Sequence, residues 1–503
     1  MFFTSYQFIF LFLPITFVCF VLAHRLGGWN WAINFLGLAS LVFYGFFGVK
    51  LMLILLASIT FNYMLGNIIA CLKDHPLVAK QTLLFSVATN LVMLGYLKYS
   101  NFFIDISNRL LDAGFAHFDL VAPIGVSFFT FIQIGYLIDA YNNQLVKHNF
   151  SRYILFSAFF PCVTAGPLVL QREIMEQLEA PRHPAFELRR LVVGLTMFGI
   201  GLFKKVVLAD SIAPYANQVF DAASLGHHID AGTSWIGAVC YALQLYFDFS
   251  GYSDMAIGLG TIFGIKLPLN FDSPFKSTNI SEFWRRWHMT MTRFFTNYVY
   301  SGVAMSGMRN SARWRLGSVG RFMLVAAMPA IVTFLVAGVW HGSGWTYMFY
   351  GLMHGCAIAI FLAWREFSKI KLPAAAGWLL TMCTVVSALV MFRAPDISTA
   401  TTILASMWGM GSFDIGTSLL ASDIGRAFSM IILFGSITML LPNTQQILHH
   451  DWPTRDVKPP STEMDAGLLS WRLSTGSAFV TAIIYTVALT SIGAGSNFLY
   501  YKF

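Results

Sequence analysis

The sequence predicts an all-α polytopic membrane protein, and three observations carry that prediction. Mean hydropathy is +0.64, and 56% of residues are hydrophobic. Charged residues make up 11%, where a soluble domain carries roughly 25%. Apolar runs recur along the chain at the length of about 20 residues that a spanning helix requires. Lys and Arg gather in the short segments between these runs, as orientation in a membrane demands. The net charge of +8 and pI near 9.1 therefore belong to membrane orientation, and nucleic acid is not implied. In a membrane, 503 residues read as a single bundle, 1–503.

The runs follow in order. Residues 5–23, 29–47, 49–72 and 81–99 are the first four. The opening run lacks a basic flank and is too long for a cleaved signal, so it reads as a retained span. Asn62 and Asn67 are suited to hydrogen bonds across helices. Residues 121–141 carry Pro123, Gly125 and Gly135 together with Gln133 and Asp139, and are expected to form a broken or re-entrant helix. Further spans are expected at 150–170, 189–208, 232–264, 321–340, 343–363, 375–393, 427–442 and 474–492. The total is about 11 to 13 spans by the length rule.

Residues 171–190 read as an interfacial loop and 443–472 as a polar loop of about thirty residues, too short to fold alone. Lys204 and Lys205 read as a helix end at the interface. Residues 266–321 hold nine Lys and Arg against two Asp and Glu, which places that segment in the cytoplasm. Matching halves are not visible, which weighs against an inverted-repeat transporter.

Six cysteines lie in or beside apolar runs, without CxxC or His/Cys ligand spacing, so neither a disulfide framework nor a metal site is expected. The candidates for chemistry are ionisable groups inside apolar runs, where each costs at least ~2.5 kcal/mol to insert. His341 stands in Gly338-Val-Trp-His-Gly-Ser-Gly344, between Trp340 and Trp345. Buried, it stays neutral and is competent as a general base; equally, it packs as a structural histidine.

His288 ends Ser281-Glu-Phe-Trp-Arg-Arg-Trp-His288. Ser281 and Glu282 are placed to open a helix. On that helix Trp284 and His288 share a face, and Arg285 sits one turn away to line the same cavity. The same stretch also fits an amphipathic interfacial helix, with Arg285 and Arg286 available to phosphates. His354, Asp248 and Asp254 fit helix-bridging contacts as well as orienting roles. From composition, a transporter with a polar path stays open.

Four stretches together resemble membrane-bound O-acyltransferases (MBOAT): FDFSGYSDMAIGLG, LPLNFDSP, ISEFWRRWHMTMTRFF and GVWHGSGWTYMFYGLMHG. The chain is most similar to the bacterial AlgI-type branch, which O-acetylates exopolysaccharides. MFFTSYQFIFLFLPI, PIGVSFFTFIQIGYLIDAY, FFPCVTAGPL and the terminal NFLYYKF match that branch too, so the likeness covers most of the chain. It departs at TNYVYSGVAMSG, where the branch usually continues with RDYLYIPLGG.

The resemblance implies a ring of tilted helices around a central tunnel. N-terminal helices would occupy 1–100, a catalytic core 120–365, and C-terminal helices 374–503. It implies catalytic His341 and His288, with Trp284, Trp340, Arg285, Arg286, Asp248, Asp254, Asn270 and His354 in donor contacts or support. It implies acetyl-CoA or an acyl carrier as donor substrate, without a bound cofactor. A periplasmic SGNH-type acetyltransferase would serve as partner, an exopolysaccharide such as alginate as final acceptor, and the bacterial inner membrane with its lipids as setting. D-alanyl transfer of the DltB type, and acetylation of peptidoglycan or cellulose, are the alternatives within the family.

Overall fold

The computed structural model describes residues 1–179, 186–410, 423–448, 469–493 and 498–499. Most of the polar loop expected at 443–472 lies outside these residues, as do parts of the 171–190 loop and of the terminal NFLYYKF. Among the described residues the regular structure is helical throughout. α1 (Phe8–Gly45) turns at Gly28, whose φ of 72° suits glycine, so the first two apolar runs are two arms of one kinked element. α2 (Val49–Cys71), α3 (Pro76–Leu111), α4 (Val126–Tyr141) and α5 (Phe150–Ala158) follow. The amphipathic α6 (Gln171–Glu179) leads to α7 (Leu188–Ser224) and to α8 (Ala231–Ile262). Three short helices come next, α9 (Ile280–Arg286), α10 (Met289–Phe295) and α11 (Ser301–Arg313). α12 (Ser318–His341) and α13 (Trp345–Phe367) form an antiparallel hairpin, and α14 (Ala374–Arg393), α15 (Ile397–Met407), α16 (Ile424–Leu440) and α17 (Thr475–Thr490) complete the bundle.

Seven of these helices are long and apolar enough to cross a membrane: α1, α2, α3, α7, α12, α13 and α14. The chain is a multi-pass membrane protein. The higher expected number of spans included α4, α16 and α17, which are apolar but shorter, and α8, whose 32 residues are buried almost throughout. Asn62 does bridge helices: it exchanges hydrogen bonds with Asn90 at 2.7 and 3.1 Å and donates to Gln133 at 2.9 Å, tying α2, α3 and α4 together.

Three expectations are corrected. The break expected within 121–141 falls near its start: Gly125 (φ 75°) precedes α4, which runs unbroken past Gly135. At 1.5 Å per residue, its 16 residues rise only about 24 Å, short of a ~30 Å hydrocarbon core. Conversely, the span expected at 150–170 is helical only to Ala158. Pro161 and the Gly166-Pro167 pair cannot continue it, and residues 159–169 run buried as turns. Their backbone is satisfied locally and by side chains: Phe160 N–H donates to Ser40 Oγ at 3.2 Å and Leu168 N–H to Thr290 Oγ1 at 3.0 Å.

The third correction concerns Lys204 and Lys205, which stand mid-helix at a π-turn (Lys204–Ala209) of α7, not at its end. Lys204 donates to Asp254 at 2.6 Å and to Thr444 at 2.7 Å. Lys205 Nζ lies 2.7 Å from both Asp248 and Asp210. Gly201 and Gly251 bring the two backbones together here, since a Cβ on either would strike the other's carbonyl oxygen. A buried charge stripped of its partner costs about 3–5 kcal/mol. Lys205→Met, which strands the 2% exposed Asp248 carboxylate, is therefore expected to lower the thermal unfolding midpoint of the detergent-solubilised protein, and Lys205→Met with Asp248→Leu to recover much of the loss. Equal midpoints for the single variant and wild type would contradict the pairing.

Candidate active site

His341 is the last residue of α12 and sits at the tip of the α12/α13 hairpin. The base of the hairpin carries Arg313 and Arg315 before α12, Arg321 in its first turn, Arg365 in the last turn of α13, and Lys369 and Lys371 after it. Positive charge thus gathers at that base, and the tip lies at the opposite end of the hairpin. The glycines around His341 serve helix packing. Gly338 abuts the Tyr347 carbonyl and Gly351 abuts the Phe334 carbonyl, leaving no room for a Cβ on either. Gly342 is extended (φ −162°), which ends α12 abruptly at His341.

His341 is 5% exposed. Its ring packs against Trp340, Phe392 and Tyr350 at centroid distances of 4.8, 5.1 and 5.9 Å. Together with Trp340, Ser343, Lys98, Thr164 and the 122–128 segment it lines a cavity of about 240 Å³. The Trp340 indole contacts both candidate histidines, with His288 at a centroid distance of 6.2 Å.

His288 is where the structure departs most from expectation. α9 stops at Arg286, and His288 adopts left-handed backbone angles (φ 43°, ψ 52°) before α10 starts. Asn279, rather than Ser281, caps α9, accepting the Glu282 N–H at 2.9 Å. His288 and Arg285 thus share neither a helix nor a cavity, because the predicted single helix is two. The turn is held by Asn270, whose Oδ1 lies 3.2 Å from His288 Nδ1 and accepts from Thr290 Oγ1 at 2.7 Å. Asn270 Nδ2 donates to Ser253 Oγ at 3.2 Å, and the Asn270 carbonyl accepts the Met289 N–H at 2.9 Å. Phe249 stands edge-on to the imidazole at 4.7 Å.

Trp284 Nε1–H donates to His354 Nδ1 at 3.2 Å, with Phe334 and Tyr350 around the same ring. His354 therefore braces α9 against the hairpin. Asp248 and Asp254 belong to the lysine pairs of α7 and orient neither histidine.

Arg285 is exposed and borders two further cavities, of about 260 and 270 Å³. The first reaches Ala337, one turn before His341, and is lined by Thr296 and Tyr300 from the segment that departs from the AlgI-type pattern. That segment is a π-turn (Thr296–Tyr300) running into α11. Arg286 is engaged by Glu282 at 3.0 Å and Asp272 at 3.5 Å, and Arg293 by Glu173 at 2.7 Å. Burial raises the Glu282 carboxyl, but bonds from Thr278 and Arg286 outweigh it and hold the group below its usual range. Among the described residues Arg285 makes no ion pair.

Sequence reasoning missed Lys98 and Tyr99. Lys98 donates to the carbonyls of Trp340 and His341 at 3.0 and 2.9 Å, and the Tyr99 hydroxyl to that of Val339 at 2.6 Å. The available signal was a lone lysine inside the 81–99 apolar run.

A family model described as MBOAT, membrane-bound O-acyltransferase family, matches residues 41–401. The chain belongs to the membrane-bound O-acyltransferase family. It is 33% identical to a peptidoglycan O-acetyltransferase of Helicobacter pylori, over 100% of this chain and 97% of that protein. It is 32% identical to a probable alginate O-acetylase AlgI of Pseudomonas aeruginosa, over 86% of this chain and 81% of that one. A teichoic acid D-alanyltransferase of Streptococcus thermophilus is 28% identical over 49% of this chain and 58% of its own. The chain is thus an acyltransferase enzyme, and the transporter reading falls away.

In this acyltransferase the two arginines of α9 separate by experiment. Arg286→Met removes an ion pair within α9 and the one to Asp272 that ties it to the preceding loop, and is expected to lower the unfolding midpoint. Arg285→Met is expected to leave it unchanged. Thermal scans of both variants in one detergent decide this, and the reverse ranking would contradict the assignment.

Proposed function

We propose that this acyltransferase moves an acetyl group from a cytoplasmic thioester, acetyl-CoA, towards an extracytoplasmic polysaccharide across the bacterial inner membrane, with His341 as general base. The observation that carries this reading is the placing of His341. It borders one cavity at the hairpin tip, while another, beside Arg285, reaches to within one helical turn of it. A nucleotide thioester is too charged to cross hydrocarbon, so its phosphates stay at the basic face. Arg285, without an ion pair among the described residues, is the side chain suited to meet them. In the reaction the imidazole of His341 takes the proton of an acceptor hydroxyl. The oxygen forms a bond to the thioester carbonyl carbon, the carbon–sulfur bond breaks, and the thiolate leaves and takes up a proton. General-base help of this kind contributes roughly 10²–10⁴-fold. His288, against the Trp340 indole, supports the developing oxyanion.

Relatives named for peptidoglycan and alginate acetylation match over most of the chain, and the D-alanyltransferase match covers half of it. Acetyl is favoured on that ground. The final acceptor is a glycan hydroxyl, reached through a periplasmic SGNH-type acetyltransferase partner.

His341→Ala is expected to abolish thiol release from acetyl-CoA by the purified protein while its elution profile stays that of wild type. Substantial residual turnover removes the general-base role. His288→Ala is expected to lose most activity, and Arg285→Met to raise KM for acetyl-CoA with little change in kcat. Mass spectrometry of the ester left on envelope glycans distinguishes acetyl from D-alanyl.

A further inference from the structure

α12 ends inside the bundle, and the carbonyls of a helix's last turn have no intrahelical donors. Three of those carbonyls, on Val339, Trp340 and His341, are met by one dipeptide of another helix, Lys98-Tyr99 of α3. The third ammonium donor of Lys98 goes to Ser127 Oγ at 3.2 Å, and the Ser127 carbonyl accepts Trp340 Nε1–H at 3.3 Å. An ammonium has three donors, and here all three are used within the protein, so Lys98 is not a site for an anion. Two further features fit a positioning role. The dipeptide lies in a π-turn, Gly95–Tyr99, and such turns redirect side chains that a regular helix would aim elsewhere. A cation at a helix C-terminus also complements the helix dipole.

We propose that Lys98, assisted by Tyr99, is a positioning residue for the catalytic base: its ammonium clamps the carbonyls of Trp340 and His341 and so fixes where the imidazole stands in its cavity. This rests on the reading of His341 as the base. Lys98 itself touches no reacting atom. Losing the clamp leaves the donor cavities intact and frees the last turn of α12. A displacement of the order of 1 Å costs roughly 10²-fold in rate. The expected signature is a fall in kcat of that order at unchanged KM for acetyl-CoA.

The test uses the purified full chain, acetyl-CoA as donor, and fragments of peptidoglycan or alginate as acceptors, with thiol release as readout. Lys98→Met, which keeps the length of the side chain and removes the donors, is expected to show the kcat loss. Lys98→Ala is expected to regain part of its rate when ethylamine is supplied, because a small ammonium fits the vacated space. A Lys98→Met protein at wild-type kcat, or one altered in KM alone, overturns the proposal. Should Lys98→Met not yield folded protein, Tyr99→Phe decides: a several-fold lower kcat supports the clamp and a wild-type rate overturns it. A fully active His341→Ala protein overturns the underlying catalytic reading instead, whereas an inactive His341→Ala beside a fully active Lys98→Met overturns the clamp alone.

Discussion

A backbone carbonyl at membrane depth must be bonded to protein, because no water is there to serve it. The architecture around His341 follows from that constraint. α12 stops where its histidine is needed, and the carbonyls exposed by stopping are capped by Lys98 and Tyr99 from α3. In the irregular segment 159–169 the backbone N–H groups of Phe160 and Leu168 are met likewise, by the accepting hydroxyls of Ser40 and Thr290. The 288 turn obeys it through Asn270. In these three places an interruption of helix is matched by a polar side chain from another element or loop.

The same constraint explains the buried charges. Lys204 and Lys205 pair with Asp254 and Asp248 where glycines allow α7 and α8 to touch, and both carboxylates are thereby spent on structure. Arg286 and Arg293 are spent likewise. Removing these groups from the list of candidates leaves Arg285 as the cation that borders the cavities without an ion pair among the described residues. The site is therefore small: one imidazole at a cavity, a second against the same indole, and two cavities bordered by Arg285.

Much of this was legible in the residues. The apolar runs expected at 321–340 and 343–363 match the two helices of the hairpin, with Trp340-His341 at their junction. The family motifs placed the activity. The failures were specific. A single residue in left-handed conformation at His288 split one expected helix into two, and nothing in the local pattern Trp-Arg-Arg-Trp-His marks that turn. Lys204-Lys205 looked like a helix terminus because two adjacent lysines in an apolar chain usually are one. Asp210 is nearby in sequence, but the partners on α8, Asp254 and Asp248, lie 50 and 43 residues away, beyond the reach of any local rule.

Sequence by itself determined the class of protein, the family and the identity of the candidate base, since those depend on hydropathy, charge placement and local motif. Tertiary structure decided which polar groups are used up and which are left for chemistry. The reason is physical: the cost of an unsatisfied group in a low-dielectric interior is settled by whichever partner folding brings within 3 Å, and for His341 that partner's neighbour in sequence is no guide to it, because Lys98 lies 243 residues away.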